Sequence, residues 1–374
     1  MPRPAKKLNI AMIGHGFMGR AHSNAFRQVG CFFDVPYELK LKAICGRNRD
    51  AVESFARQWG WEESHTEWES VIVREDIDIV DIGTPNYLHA PIAMAAAEAG
   101  KIVLCEKPLA MNLDEAKRMA AAARKVPTLV WFNYRRVPAI ALAKQVVEEG
   151  RVGTPYLYRA TYLQSWGDDP ARLGVWRFRK EDAGSGAMGD LLAHSLDLAL
   201  LLNGPIAELT GLLHTFVPNR PVDDAAMALA RFANGSIGTF EATRFATGCR
   251  NRNAFEIHGS RGAIRFNLED LNRLEVFDRN DDTQVQGSHN ILATGPGHPY
   301  VSHFWPPGHI IGYEHTFIAT IADFLSALDK NEPFHPNFDD AVEVQNLLET
   351  VENSARNKSW VKVPATGPAN VSSS

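Results

Sequence analysis

The feature that most constrains how this chain can fold is a glycine turn near its start. Gly14-His15-Gly16-Phe17-Met18-Gly19 follows a short apolar run at 8–13 and precedes a segment of helical period at 20–29. A GxGxxG string alone is weak. Set between a strand and a helix, with a further strand at 39–45, it has a mechanical purpose. Gly14 permits the tight turn, Gly16 lets the backbone approach a pyrophosphate, and Gly19 lets the helix lie close on the strand. The helix N-terminus offers unpaired N–H groups and a positive dipole end to phosphates. Phe17 and Met18, inside the turn, join the three glycines as expected dinucleotide contacts.

The alternation continues past the turn. Helical segments at 50–59, 91–99 and 113–124 separate apolar runs at 39–45, 77–83, 102–105 and 128–132. Strands alternating with helices imply βαβ units and a doubly wound parallel sheet, so residues 1–133 are expected to form an α/β Rossmann domain. The pattern then changes. A connecting helix at 138–149, a strand at 156–162 and an apolar helix at 189–202 lead into successive strands between 206 and 277, with the hairpin signal Asn234-Gly235 among them. Residues 134–374 therefore read as an α+β C-terminal domain built on a large, mostly antiparallel sheet. One sheet face packs on helices, and the other calls for a cover that a second copy of the chain can provide, as a dimer or tetramer. Helices are expected at 313–329 and 339–354, the latter packing back on the first domain, and a frayed tail after them. Residues 280–311, rich in Pro, Gly and His, read as a long functional loop, with the aromatic stretch 294–308 bordering a substrate or a neighbouring subunit.

At 374 residues the chain is long enough for these two domains. A net charge of -5 without a concentrated Lys/Arg face argues against a nucleic-acid partner. No apolar stretch has the length of a bilayer span, and the start lacks a signal-peptide pattern, so a cytoplasmic protein is expected. The four cysteines form no CxxC and read as free thiols in a reducing compartment.

Ligands of open α/β sheets bind beyond the carboxyl ends of the strands. After the second strand stands Gly46-Arg47-Asn48, where a carboxylate would select the 2′-hydroxyl of NAD. Arg47 leaves NADP open, and Asn48 can still reach a ribose hydroxyl, so the choice between NAD and NADP is undecided. Thr84, Asn86 and His89 lie at the third exit, and Glu106 and Lys107 at the fourth. In the second domain Trp166 and Trp176 flank a stretch bearing Asp168, Asp169, Arg172, Arg177 and Arg179, a combination suited to a polyhydroxylated ligand. Asp190, His194 and Asp197 share a helix, but no further His or Cys cluster completes a metal site, so none is expected.

The stretches GHGFMGRAH (14–22), GTPNYLHAPIAMAAAEAGK (83–101), CEKPLA (105–110) and GSGAMGDLLAHSLDLAL (184–200) together resemble the glucose–fructose oxidoreductase / inositol dehydrogenase / MocA (Gfo/Idh/MocA) family. Within it the chain is most similar to the levoglucosan dehydrogenase and glucoside 3-dehydrogenase branch, through residues 132–144, 161–170, 175–190 and 294–300. The resemblance implies an NAD(P)-dependent dehydrogenase acting on a ring secondary alcohol of a sugar, glycoside, anhydrosugar or cyclitol, at C3 in that branch. It implies Lys107, Asp190 and His194 as the catalytic group, with Tyr134, Gln164, Trp176 and Arg177 facing the substrate. Asn133, Trp176 and Arg177 join the cofactor contacts. His194 suits a general base, since imidazole titrates near physiological pH, and Lys107 can stabilise a developing alkoxide. Two other readings use the same residues: a glycoside-cleaving enzyme that oxidises C3 transiently, and a non-catalytic nucleotide-binding protein.

Overall fold

Strand β1 (Lys6–Ile13) ends in four buried residues and feeds directly into the glycine turn. The computed structural model describes residues 6–169 and 174–366 of the chain. Arg172 and most of the expected tail lie outside them. Helix α1 (Phe17–Phe32) starts three residues before its periodicity suggests, because Gly16 serves as its N-cap and the turn itself becomes the first turn of helix. β2 (Tyr37–Cys45) and α2 (Arg49–Trp59) follow. Asn48 caps α2 by accepting from the Ala51 N–H at 3.0 Å, and Gly60 closes it in the left-handed region at φ 78°. β3 (Glu63–His65) and α3 (Trp68–Ile72) were not expected: three residues without an apolar pattern carry no strand signal, and pairing with β2 makes the strand. β4 (Ile79–Ile82), α4 (His89–Glu98), β5 (Ile102–Cys105), α5 (Leu113–Ala122) and β6 (Thr128–Val130) complete the series. The six strands are parallel in the order β3-β2-β1-β4-β5-β6, the doubly wound dinucleotide-binding arrangement.

Among the described residues the second sheet has nine strands. After α6 (Pro138–Glu148) come β7 (Pro155–Leu163), the short α7 (Lys180–Ala183), a π-helical turn at Met188–Leu192 and α8 (Ala193–Asn203). Then follow β8 (Ile206–His214), β9 (Ala225–Phe232), β10 (Ile237–Thr243), β11 (Arg252–Gly259), β12 (Gly262–Asn267), β13 (Arg273–Asp278), β14 (Ser288–Leu292) and α9 (Val301–Phe304). Asn234-Gly235 forms the β9–β10 hairpin, with Gly235 at φ 88°. Every pairing is antiparallel except β7 with β10. Strict alternation on β9 sends Ala226, Ala228 and Ala230 inward and Met227, Leu229 and Arg231 outward. The buried face carries Tyr158, Phe240 and Phe255.

Residues 280–311 are more ordered than a single loop. They contain the edge strand β14 and helix α9, and Asn272 clamps their end by exchanging hydrogen bonds of 2.9 Å with both backbone groups of Ile311. The Pro/Gly content hid a five-residue strand whose order comes from pairing with β13. α10 (Tyr313–Lys330) packs on α1. Contacts therefore group residues 313–343 with 6–133, while 134–312 and 344–365 form the other unit. That grouping departs from a second domain running unbroken from 134 to 374. Its origin is the buried face of α10, which includes Phe317, Ile318, Ile321 and Phe324. α11 (Phe338–Asn357) passes from one unit to the other, and β15 (Val361–Lys362) adds to β8. No helix among the described residues is long and apolar enough to cross a membrane.

Within the second unit Arg135 and Asp197 form a buried ion pair, Nε lying 3.0 Å from each carboxylate oxygen and Nη2 2.5 Å from Oδ1. Removing one partner leaves a buried charge uncompensated, which typically costs about 3–5 kcal/mol, whereas an apolar pair of similar volume can be neutral. Asp197→Ala is expected to fall in that range in urea denaturation, and Arg135→Met combined with Asp197→Leu well below it.

Candidate active site

In the first unit the expected contacts collect where β1, β2, β4 and β5 end. Gly14, at φ 108°, donates its N–H to the Cys45 carbonyl at 2.9 Å. A Cβ on it would stand 2.4 Å from the Gly83 carbonyl oxygen, so no other residue fits between these two strand ends. Gly16 is the opposite case: its Cβ would meet nothing within 4 Å, and α1 begins there without a side-chain cap. Open space over uncapped helical N–H groups is what a pyrophosphate requires. Gly19 lies against the Gly14 carbonyl, and Met18 lies near Gly83. Phe17 is exposed and stacks on Tyr313 at 6.1 Å. The buried Thr84 hydroxyl has no protein partner, an orphan in the same crevice. These features fit a dinucleotide.

Arg47 is exposed at the β2 exit, beyond Gly46, whose missing Cβ makes room for the His15 ring. Asn48 has its carbonyl oxygen committed to capping α2. Three further side chains are turned to their neighbours. His89 is buried, its ring nitrogens 3.0 Å from the Thr84 and Pro108 carbonyls, so it braces two loops; burial lowers its pKa. Asn133 donates to the Thr316 hydroxyl at 2.8 Å. Glu106 faces His22, Nε2 to Oε1 3.1 Å, and its other oxygen accepts the Lys107 N–H at 3.1 Å. Asn86 is buried at the third exit, and Lys107 is half-buried at the fourth.

His22 closes the 14–22 stretch, but its role escaped sequence reasoning, since one histidine in a helix does not show what it pairs with. It is fully buried, donates from Nδ1 to Asp81 at 2.8 Å and stacks on Trp131 at 4.0 Å.

In the second unit Asp190 lies on the π-helical turn that opens α8, a helix distortion frequent at functional sites. Its Oδ2 accepts from Arg244 Nη2 at 2.9 Å and lies 3.5 Å from Arg177 Nε. Asp223 holds the start of this turn, accepting from the Gly186 and Met188 N–H groups at 2.7 Å each. Burial raises the Asp223 pKa against those hydrogen bonds and the nearby Arg244 charge. A Cβ on Gly186 would come within 1.7 Å of the Asp223 carbonyl oxygen, which accounts for the glycine preceding the turn. His194 is buried beside Tyr134, ring centres 4.6 Å apart, and Tyr162 at 5.8 Å; the two tyrosine hydroxyls are 3.0 Å apart.

Arg244 also escaped the sequence reading. It is fully buried, its guanidinium lies 4.8 Å over the Trp166 ring, and its Nε and Nη1 have no protein partner. Trp166 donates to Gln164 at 2.5 Å, and Gln164 donates onward to Asn251 at 2.8 Å. Trp166 thereby links Arg244, which lies over its ring, to Gln164 and Asn251. Arg177 lies 4.6 Å over Trp176. Asp197, once a possible metal ligand beside His194, is held by Arg135. Among the described residues no group of three or more His, Cys, Asp or Glu is placed to hold a metal ion.

Comparison with known proteins agrees with this architecture. Residues 8–134 match the oxidoreductase family with an NAD-binding Rossmann fold, and residues 140–265 match the GFO/IDH/MocA C-terminal domain. The chain is 42% identical to levoglucosan dehydrogenase of Pseudarthrobacter phenanthrenivorans, over 96% of this chain and 99% of that protein. A crystal structure of an oxidoreductase domain protein from Kribbella flavida superposes with a TM-score of 0.94 at 46% identity, covering 96% of this chain and 100% of that one. Levoglucosan dehydrogenase in complex with NADH and levoglucosan gives a TM-score of 0.94 at 42% identity, with the same coverage.

The His22 cluster has a measurable consequence. Burial alone would lower the imidazole pKa, but the charges and hydrogen bonds of Asp81 and Glu106 override it and raise the pKa from 6.5 to about 9. Ionisable groups near these carboxylates include the buried Cys105 thiol, which burial pushes up, His89, and Lys107, which follows Glu106. A raised folded pKa stabilises fully below the unfolded value and is lost as pH climbs through the folded one. The unfolding free energy should therefore fall by roughly 3 kcal/mol between pH 6.5 and pH 9. Urea denaturation across that window should show the fall, and His22→Gln should lack it. By its two family domains and its full-length relatives, the chain belongs to the Gfo/Idh/MocA oxidoreductases.

Proposed function

We propose that this chain is a dehydrogenase that oxidises a ring secondary alcohol of an anhydrosugar or closely related polyhydroxylated ring, at the position corresponding to C3, with NAD as the hydride acceptor. The near full-length likeness to levoglucosan dehydrogenase carries the reading. Lys107 on the first unit and Asp190 and His194 on the second supply the group types the chemistry needs.

Bound nicotinamide supplies the hydride acceptor, and the protein's side chains handle the proton and the charge. Gly14, Gly16 and Gly19 with the α1 N-terminus hold the pyrophosphate. His194 takes the hydroxyl proton at an imidazole nitrogen, its ring orientation limited by Tyr134 and Tyr162. The Lys107 ammonium donates to the reacting oxygen and favours the developing alkoxide. Asp190, anchored by Arg244, accepts from a neighbouring ring hydroxyl. Trp176 and Arg177 offer an apolar face and a planar donor for the rest of the ring. NADH complexes of levoglucosan dehydrogenase support NAD, and Arg47 gives tolerance for a 2′-phosphate.

Levoglucosan, other anhydrosugars, glucosides and inositols should be screened with NAD and NADP in parallel. One NADH is expected per ring oxidised; sugar release without net NADH would overturn the reading. Lys107→Ala and His194→Ala should each lower kcat about 10²–10⁴-fold while NADH still binds. Turnover near that of the unmodified enzyme in either variant would remove that residue from the mechanism.

We also infer that a second copy covers the outer face of the nine-stranded sheet. Leu212, Met227, Leu229 and Ile237 are exposed there on the neighbouring strands β8, β9 and β10. Leu229→Arg should reduce the mass measured by light scattering to that of a smaller species; an unchanged mass would place the subunit contact elsewhere.

A further inference from the structure

Resting on the role given to Lys107 above, we propose that His22 is its positioning residue: an imidazolium clamped between Asp81 and Glu106 fixes the Glu106–Lys107 segment and thereby the aim of the ammonium.

The geometry allows few alternatives. His22 lies on α1, the helix that begins at the glycine turn. Its two ring nitrogens face carboxylates from the ends of two different strands, Asp81 of β4 at 2.8 Å and Glu106 beyond β5 at 3.1 Å. A neutral imidazole has one N–H and one lone pair. With a carboxylate at each nitrogen, that lone pair would point at a carboxylate oxygen. The imidazolium donates to both. Each carboxylate also has a second donor: Trp131 Nε1 to Asp81 Oδ1 at 2.8 Å, and the Lys107 backbone N–H to Glu106 Oε2 at 3.1 Å. The result is a continuous chain of charge-assisted bonds from Trp131 through Asp81, His22 and Glu106 to the Lys107 main chain.

The surroundings hold this chain in place. Trp131 stacks on the imidazole at 4.0 Å, and Phe317 of α10 lies 5.6 Å away. Titratable groups close by include the buried Cys105 thiol, which precedes Glu106, Lys107, which follows it, and His89, braced on backbone carbonyls. His22 is therefore the cation set between the two carboxylates. Without it, two carboxylates remain in a dry pocket; one takes up a proton or Glu106 moves, and either change loosens the hold on the Lys107 main chain. The effect of His22 should consequently appear in turnover, and only when Lys107 is present to be aimed.

A double-mutant cycle in the full-length protein tests this, with kcat and KM measured on the best substrate from the screen. NADH affinity is followed by fluorescence, and folding by near-ultraviolet circular dichroism. His22→Gln is expected to lower kcat about 10–100-fold, less than the roughly 10²–10⁴-fold loss expected when Lys107 itself is removed, with NADH affinity changed by less than about threefold. In the Lys107→Ala background the same substitution should have no further effect on the residual rate. Equal fold-losses in both backgrounds, or an unchanged kcat in His22→Gln, would leave His22 a structural residue and overturn the proposal. Full turnover in Lys107→Ala alone would instead overturn the role of Lys107, and this proposal with it. Should His22→Gln fail to fold, Glu106→Gln takes its place in the cycle with the same expectations. Histidine ¹⁵N spectra of the unmodified protein at pH 7 give an independent reading: an imidazolium pattern for His22 is required, and a neutral ring is fatal.

Discussion

The first unit depends on one close approach. Gly14 is bound to the end of β2 through the Cys45 carbonyl and is so near Gly83 at the end of β4 that a methyl group cannot be inserted. That contact fixes where β1 stops and where α1 starts. It also brings the exits of β1, β2 and β4 to a common edge. Open space at Gly16 and the unpaired Thr84 hydroxyl lie on that edge. The turn therefore does two things at once: backbone contact on one side closes the sheet, and backbone exposure on the other receives phosphate. Both require the absence of a side chain, for opposite reasons.

The second unit solves a different problem, holding a carboxylate in a fixed direction. Asp190 stands on a distorted helical turn anchored at its start by Asp223, which accepts from the Gly186 and Met188 N–H groups, and its own charge is met by Arg244 from the far end of β10. Arg244 is in turn surrounded by rings and donates few hydrogen bonds for a buried guanidinium. Its orientation comes mainly from stacking on Trp166 and Phe178, with Asp190 and the Gly186 carbonyl as anchors. Trp166 supports the arginine through its ring and is itself bonded to Gln164.

What could be read from the sequence follows from how local each determinant is. The glycine turn, the βαβ alternation and the Asn234-Gly235 hairpin are encoded within a few residues of one another, and each forms where its local chemistry places it. β3 and β14 could not be seen, because three and five residues with little apolar pattern become strands only through pairing. The same distinction separates the site residues. Lys107, Asp190 and His194 belong to short motifs. His22 and Arg244 have partners 59 and 54 positions away; His22 closes the 14–22 stretch, but nothing local in sequence shows what either side chain pairs with.

The two missed residues share a physical logic. Each is a buried cation whose work is done on a carboxylate rather than on a ligand: His22 on Asp81 and Glu106, Arg244 on Asp190. A carboxylate in a dry site is held in place only when its charge is matched and its lone pairs are engaged. Motif residues that meet substrate must tolerate few alternatives and so leave a compact pattern. The cations behind them need only reach the correct oxygen, from whichever element passes nearby. Sequence patterns therefore reveal the groups that act, while the groups that aim them become visible once the fold has brought distant segments together.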